Sequence, residues 1–392
     1  MKVIDVAEHY APSGGGVKTY VNNKIDAAQA NGVKMIILAP GQEDKIEYRN
    51  GAKIYWVKGP RLMVDKKYGV FRNERAVHQI LDHEQADIVE GGSVWRGGEM
   101  VSNWSGKAKK MWIFHQDFVA AYGHSLFDRF INRDQIDRLF YPFWSKLRRV
   151  SQGYDSTVVA GAWLGKRLES FNIKNPVVVP FGIDKEFFSV RNRNEEARRS
   201  LLAQCGRTTD VPLLITVSRF HPEKRLRCLF EAVNIVNKTQ PVAHIVFGEG
   251  FLLNRHRRYA ENSPGIHLAG FTSNREELAQ ALASSDLLLH GSAAETFGLG
   301  VAEGLCSGLP VVGPSIGGAS DLINDRYGIS YEPGNAQACA DAIQNALTKN
   351  RREWGPIIKE QSEHIQSTQG HFEQLFSYYE SVLVGNHLAV EH

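Results

Sequence analysis

Short apolar runs of strand length alternate with helix-length amphipathic segments along nearly the whole chain, and this rhythm limits its folds more than any single motif does. A first series comprises VIDVA (3–7), MIILA (35–39), KIYWV (53–57), DIVE (87–90), MWIF (111–114), STVVA (156–160) and VVVP (177–180). A second comprises LLITV (213–217), HIVF (244–247), IHLAG (266–270), DLLLH (286–290) and LPVVG (309–313). Apolar strands separated by helices pair in parallel and are covered on both faces. Two series therefore predict an α/β protein of two Rossmann-like domains. The break falls at VPFGIDKEFF (179–188), where Pro180 and Gly182 precede the charged, strand-free RNRNEEARRS (191–200). The expected spans are 1–183 and 184–362. Near the C-terminus, Phe372, Leu375, Phe376, Tyr379 and Leu383 recur at helical spacing, which predicts a helix over 363–385 that packs back on the first domain.

Composition removes several alternatives. At 392 residues, 43% hydrophobic and 23% charged, the chain has enough material for two cores. A net charge of +3 does not indicate nucleic acid binding, although it leaves room for a local basic face that meets phosphates or anionic lipid. The four cysteines, Cys205, Cys228, Cys306 and Cys339, form no C-x-x-C pair, which reads as buried, reduced thiols and no zinc site. Met1-Lys2 leads directly into an apolar strand, and no apolar run reaches the roughly 18 residues of a membrane span. A cytoplasmic protein is expected.

The chemistry is densest in SAAETFGLGVAEGLCSGLPVV (292–312), where Glu295 and Glu303 lie either side of a turn containing Gly298 and Gly300. DLLLH before it reads as a strand, and VAEGLCSG after it as a helix ended by Gly308. The loop thus lies at a strand's carboxyl end, where open α/β sheets bind ligands and where the next helix's amides attract phosphate. Glu303 falls about five residues into that helix, roughly 7 Å along its axis at ~1.5 Å per residue. One carboxylate can then meet a hexose while the other meets a ribose, each accepting from hydroxyls. An ordinary βα unit with two solvated acids fits the pair alone equally well.

Three further segments bear on the choice. EHYAPSGGGVKTYV (8–21) puts Gly14, Gly15 and Gly16 at the start of a helix, where backbone can approach a ligand and cradle phosphate, or simply turn tightly. It is not the G-x-G-x-x-G fingerprint of dinucleotide sites. SRFHPEKR (218–225) places Arg219 and Lys224 after another strand, as a diphosphate leaving group would require, although a solvated pair is also compatible. WIFHQDF (112–118) sets His115 beyond a strand, as a sugar contact or a structural imidazole. No D-x-D pair is present to hold a cation.

Together these segments resemble the retaining GT-B glycosyltransferases of family four (glycosyl transferases group 1), from the first strand to the C-terminal helix. The E-x7-E segment ETFGLGVAE, followed by Gly308-x-Pro310, carries most of the likeness. The resemblance implies that Glu295 binds donor-sugar hydroxyls, Glu303 the ribose, and Arg219 and Lys224 the diphosphate, with His115 near the sugar across an inter-domain cleft. It further implies donor contacts at Gly15, Gly16, Gly248, Phe271, Phe297, Gly298 and Leu299, with Gly270-Phe271 at the base. Lys18 and Asp117 are candidate acceptor contacts. Four positions depart from the family pattern: Asp321 stands where Glu often follows Gly317-Gly318, Phe181 where Asn is usual, and His290-Gly291 where Pro-Ser is common.

The implied reaction moves a hexose from a UDP-sugar or GDP-mannose to a lipid or saccharide acceptor in cell-envelope glycoconjugate synthesis, with retention and without a metal or other cofactor. A sugar-nucleotide epimerase on the same fold and a non-catalytic nucleotide-sugar-binding subunit are the competing readings. Segment 126–149 mixes aromatics with Arg129, Arg133, Arg138, Lys146, Arg148 and Arg149, a blend suited to peripheral membrane contact at the inner face or to a packed connector helix. The donor, acceptor and oligomeric state are not fixed by sequence.

Overall fold

The structure is a computed structural model that describes residues 1–12, 15–62, 67–128, 130–349 and 351–385. It divides into two compact units. One comprises Met1–His115, Leu139–Pro180 and the stretch from Thr368 onward, and the other comprises Gln116–Arg138 and Phe181–Ser367. The span 1–183 is therefore not continuous: Gln116–Arg138 groups with the second unit. The return to the first unit begins at Thr368, five residues later than the helix read from sequence, because the helix Arg351–His364 ends before it and the helix Thr368–Leu383 starts anew.

In the first unit, eight strands form one sheet: β1 (Lys2–Val6), β2 (Lys34–Gly41), β3 (Lys45–Arg49), β4 (Ala52–Lys58), β5 (Ile88–Gly91), β6 (Lys109–Phe114), β7 (Ser156–Val159) and β8 (Pro176–Val178). Their order is β3-β4-β2-β1-β5-β6-β7-β8, and only the β3–β4 pair is antiparallel. β3 is an exposed edge whose sequence, KIEYR, carries no apolar run, so the periodicity does not reveal it. The helix Gly16–Ala30 buries Val21 and Ile25 against sheet residues such as Val3, Ile37 and Ile113. Phe372, Leu375, Phe376 and Tyr379 of the C-terminal helix join the same core, each such side chain contributing roughly 1.5–3 kcal/mol of apolar burial. Leu383, assigned from sequence to that stripe, is instead 39% exposed, and Val382 is buried in its place. One polar cluster lies inside: Lys24 donates to Asp5 (2.7 Å) and to Glu90, with all three side chains almost fully buried.

In the second unit, β9 (Leu213–Val217), β10 (Ala243–Phe247), β11 (Ile266–Gly270), β12 (Leu287–Leu289), β13 (Val311–Pro314) and β14 (Gly328–Tyr331) form a parallel sheet ordered β11-β10-β9-β12-β13-β14. The order reverses direction between β9 and β12, which pair directly. A doubly wound sheet opens its ligand crevice at that switch point, beyond the strands' carboxyl ends. The four cysteines are unpaired and buried.

The segment 126–149 is not one connector helix. The described part forms short helices Ser125–Phe127, Arg133–Leu139 and Tyr141–Ser151, while Arg129 lies outside the described residues. No helix among the described residues is long and apolar enough to cross a membrane.

Candidate functional site

Both loops that leave the second sheet's switch point carry the charged residues singled out from sequence. The loop after β9 runs from Ser218 through a 3-10 turn at Pro222–Lys224 to Arg225, whose φ of 49° places it in the left-handed region before the helix Leu226–Val236. Neighbouring glycines seat this loop. A Cβ on Gly248 would stand 1.9 Å from the Ser218 carbonyl oxygen, and one on Gly291 would stand 2.4 Å from that of Lys224. Gly248, assigned to the donor by resemblance, thus serves close backbone packing.

The loop after β12 is held by the Gly317-Gly318 pair. The Gly318 amide donates to the Glu295 carbonyl (2.7 Å), and a Cβ on Gly318 would lie 2.3 Å from the Thr296 carbonyl group. Gly298, with φ of 100°, opens the helix Leu299–Cys306, which Gly308 ends at φ 82° with its amide donating to the Leu305 carbonyl. The first amides of a helix have no partner within it, and a helix that starts just past a strand's carboxyl end favours an anion there.

Between the two loops, the Lys224 ammonium donates to Glu295 Oε1, an ion pair with side-chain exposures of only 14% and 23%. His290, at the end of β12, brings its Nε2 to 3.9 Å from the same oxygen. Burial alone would raise the Glu295 carboxyl, but Lys224, then His290, then Arg219 outweigh it and hold the group at about 2. Glu295 is therefore ionised at neutral pH. Burial pushes His290 down to about 4 despite Glu295, so its imidazole is neutral.

The remaining sequence candidates are less closely gathered. Arg219 is largely exposed and lies 3.5 Å from Glu223, so its charge reaches Glu295 only through space. Glu303 is half-buried in its helix, and burial, weakly opposed by Arg275, lifts its carboxyl to about 7. Phe297 is buried with Phe181 edge-on to it at 5.7 Å. Leu299 and Phe271 are exposed, and Gly270 has open space where a Cβ would stand.

In the first unit, Gly15 and Gly16 begin the helix after β1, and nothing lies within 4 Å of where their Cβ atoms would be. Protein packing therefore does not demand glycine at either position. Gly14 lies outside the described residues. Lys18, in the first turn of that helix, folds back to donate to the Pro12 carbonyl of the preceding loop. His115 stacks edge-on against Tyr20 at 4.9 Å, and burial first, then Lys24, His371 and His9, press its pKa to about 3. Asp117 is fully buried, belongs to the second unit and caps the Ala120 amide (2.8 Å), which makes it a structural carboxylate rather than a first-domain acceptor contact.

Sequence reasoning missed three groups. His290 registered only as a departure from Pro. Arg225 pairs with Asp128 from Gln116–Arg138, 97 positions away, and nothing in the octapeptide signals this. Glu8, just after β1, is buried and accepts from Ser93 Oγ (2.6 Å) and the Gly97 amide (2.9 Å); a carboxylate directly behind an apolar strand was the available signal.

Residues 198–361 match the family model for glycosyl transferases group 1, and residues 14–187 match that for Glycosyltransferase Family 4. The chain is 30% identical to a sulfoquinovosyl transferase of Arabidopsis thaliana over 60% of its own length, and spans about half (46%) of that protein. It is 25% identical to a GDP-mannose-dependent alpha-(1-6)-phosphatidylinositol dimannoside mannosyltransferase of Mycobacterium tuberculosis, with 90% of this chain and 89% of that one covered. Sucrose-phosphate synthase from Thermosynechococcus elongatus superposes with a TM-score of 0.76 at 16% identity, covering 98% of this chain and all of that one (100%), which shows the fold alone.

Proposed function

The chain belongs to the group 1 glycosyltransferases with a GT-B fold, and from that premise we propose that it transfers a hexose from a UDP-sugar or GDP-mannose with retention at the anomeric carbon. The observation that carries this reading is the meeting of Lys224 and Glu295 at the switch point of the second sheet, from loops 71 positions apart. A fixed cation beside a helix N-terminus suits a diphosphate, and a carboxylate ionised at neutral pH beside it suits the hydroxyls of the attached sugar.

In this reading, Lys224, Arg219 and the helix start at Leu299 stabilise charge gathering on the departing diphosphate without help from a metal, each well-placed donor contributing about 3 kcal/mol. Glu295 holds the hexose, and Glu303 meets the ribose. No carboxylate of the motif set is an obvious covalent nucleophile, and the family resemblance implies attack on the face the leaving group vacates, with the departing phosphate taking the acceptor's proton.

The proposed acceptor is a lipid or saccharide in envelope glycoconjugate synthesis, a reading supported by a relative named as a phosphatidylinositol dimannoside mannosyltransferase. Leu139 and Tyr141 are 68% and 58% exposed just ahead of Lys146, Arg148 and Arg149 in the same unit, which suits a cytoplasmic protein resting on an anionic membrane. Neutralising Lys146, Arg148 and Arg149 should then reduce co-sedimentation with anionic vesicles.

Thermal-shift titration with UDP-, GDP- and ADP-sugars identifies the donor, since a ligand of the folded state raises its melting temperature. Product NMR with and without EDTA then tests the mechanism. An inverted linkage or loss of turnover in EDTA would overturn it, and a new nucleotide sugar formed without any glycoside would favour an epimerase.

A further inference from the structure

His290 is a group in the donor loop that the reading above leaves without a task. Its backbone is pinned on both sides: the amide donates to the Val312 carbonyl (2.8 Å), and the carbonyl accepts from the Tyr331 hydroxyl (2.9 Å). The imidazole is also hydrogen-bonded to the Ser292 backbone, an interaction that favours a ring N–H. The backbone at this position is therefore held, and the other ring nitrogen, Nε2, is the acceptor of a neutral imidazole.

That Nε2 is buried and has no hydrogen-bond partner among the described residues. A buried acceptor left unpaired is destabilising, and one retained beside a ligand site calls for a partner that arrives with the ligand. Its nearest charged neighbour, Glu295 Oε1 at 3.9 Å, is also an acceptor, so the two cannot bond each other. In the unliganded chain the Lys224 ammonium occupies Glu295. A diphosphate competes for that ammonium, and once it is drawn away two acceptors stand side by side with no donor between them. Neighbouring hydroxyls on a sugar ring supply two O–H groups at closely matching separation, one for each acceptor.

Resting on the donor-site reading, we propose that His290 is a donor-specificity residue that accepts a hydrogen bond from one hexose hydroxyl while Glu295 accepts from its neighbour, so that the pair selects hexoses bearing an intact vicinal diol. Apolar and rigid, a Pro at this position would leave Glu295 to read the sugar alone.

The test compares wild type, His290→Leu, His290→Gln and Glu295→Gln with UDP-glucose or GDP-mannose, whichever binds more tightly than its bare nucleoside diphosphate, and with the singly deoxygenated forms of that donor. Loss of one neutral hydrogen bond should lower kcat/KM by roughly three- to tenfold in His290→Leu. His290→Gln, which can present an amide oxygen near Nε2, should stay within about threefold of wild type. His290→Leu should cost nothing further with the one deoxy donor that lacks the hydroxyl it reads, and binding of the bare nucleoside diphosphate should be unchanged.

A penalty in His290→Leu that is equal across all donors, or that falls equally on the bare diphosphate, would show a merely structural histidine and overturn the proposal. Should His290→Leu fail to fold, the wild type still decides: two adjacent deoxy positions must each weaken the donor, and sensitivity at only one refutes the pairing. If Glu295→Gln binds nucleotide sugar and bare diphosphate just as wild type does, the donor-site reading itself fails, a result distinct from failure of His290 alone.

Discussion

The Lys224–Glu295 pair can be tested as a piece of physics before any acceptor is known. Replacing Lys224 by Met removes the largest influence that holds the Glu295 carboxyl at about 2 rather than its ordinary 4.5, and leaves burial to push it up. A displacement of that size corresponds to roughly 3 kcal/mol at 1.36 kcal/mol per pH unit. Glu295 is 23% exposed, so solvent screening lowers the expected coupling to about 1–3 kcal/mol at pH 7. The assay is a double-mutant cycle of wild type, Lys224→Met, Glu295→Gln and the double variant, read by calorimetry on the transition that rises with added nucleotide sugar. The sign follows from the depressed folded value: the stabilisation is complete above pH 4.5 and is lost as pH falls toward 2. The coupling should be about a quarter smaller at pH 4 and reduced by more than half at pH 3. A coupling below about 0.5 kcal/mol at pH 7, the range of an exposed pair, or one that grows on acidification, would refute the reasoning.

Glu303 titrates in the opposite sense. Its folded value of about 7 lies above 4.5, so its ionisation penalty is absent below pH 4.5 and grows as pH rises through 7; Glu303→Gln should gain about 1–3 kcal/mol at pH 8 and nothing at pH 4 in denaturant unfolding. Gly318→Ala would drive a methyl to 2.3 Å from the Thr296 carbonyl group; it should cost more than about 2 kcal/mol and abolish the nucleotide-sugar thermal shift, with the loss of shift checked on soluble protein. In the first unit, Lys24→Met strands Asp5 and Glu90 without their shared cation and should destabilise by about 3–5 kcal/mol, whereas the Lys24→Met/Asp5→Asn/Glu90→Gln combination should recover part of that loss in the same melting experiment.

The rhythm of apolar runs revealed both sheets because each central strand is buried on two faces and so must be continuously apolar. It failed at β3, an edge strand of polar residues, and at β14, four residues long with a half-polar pattern, since an edge needs no apolar run to pair. It failed again at Gln116–Arg138, where the chain leaves one unit and joins the other through contacts such as Asp128 with Arg225 that local pattern does not encode. The site divides along the same line. Glu295, Lys224 and the glycine turn were legible because each lies directly behind a strand, and once β9 and β12 are neighbours at a switch point their loops must converge. What each group does when it arrives was not legible. Whether a carboxyl is held at about 2 or lifted to about 7 depends on how deeply it is buried and on which cation faces it, and Glu295 and Glu303, alike in sequence, fall on opposite sides. His290 makes the point most sharply: a departure from a family pattern carries no sign in the sequence, and becomes informative only when the fold leaves Nε2 without a hydrogen-bond partner among the described residues, 3.9 Å from the carboxylate.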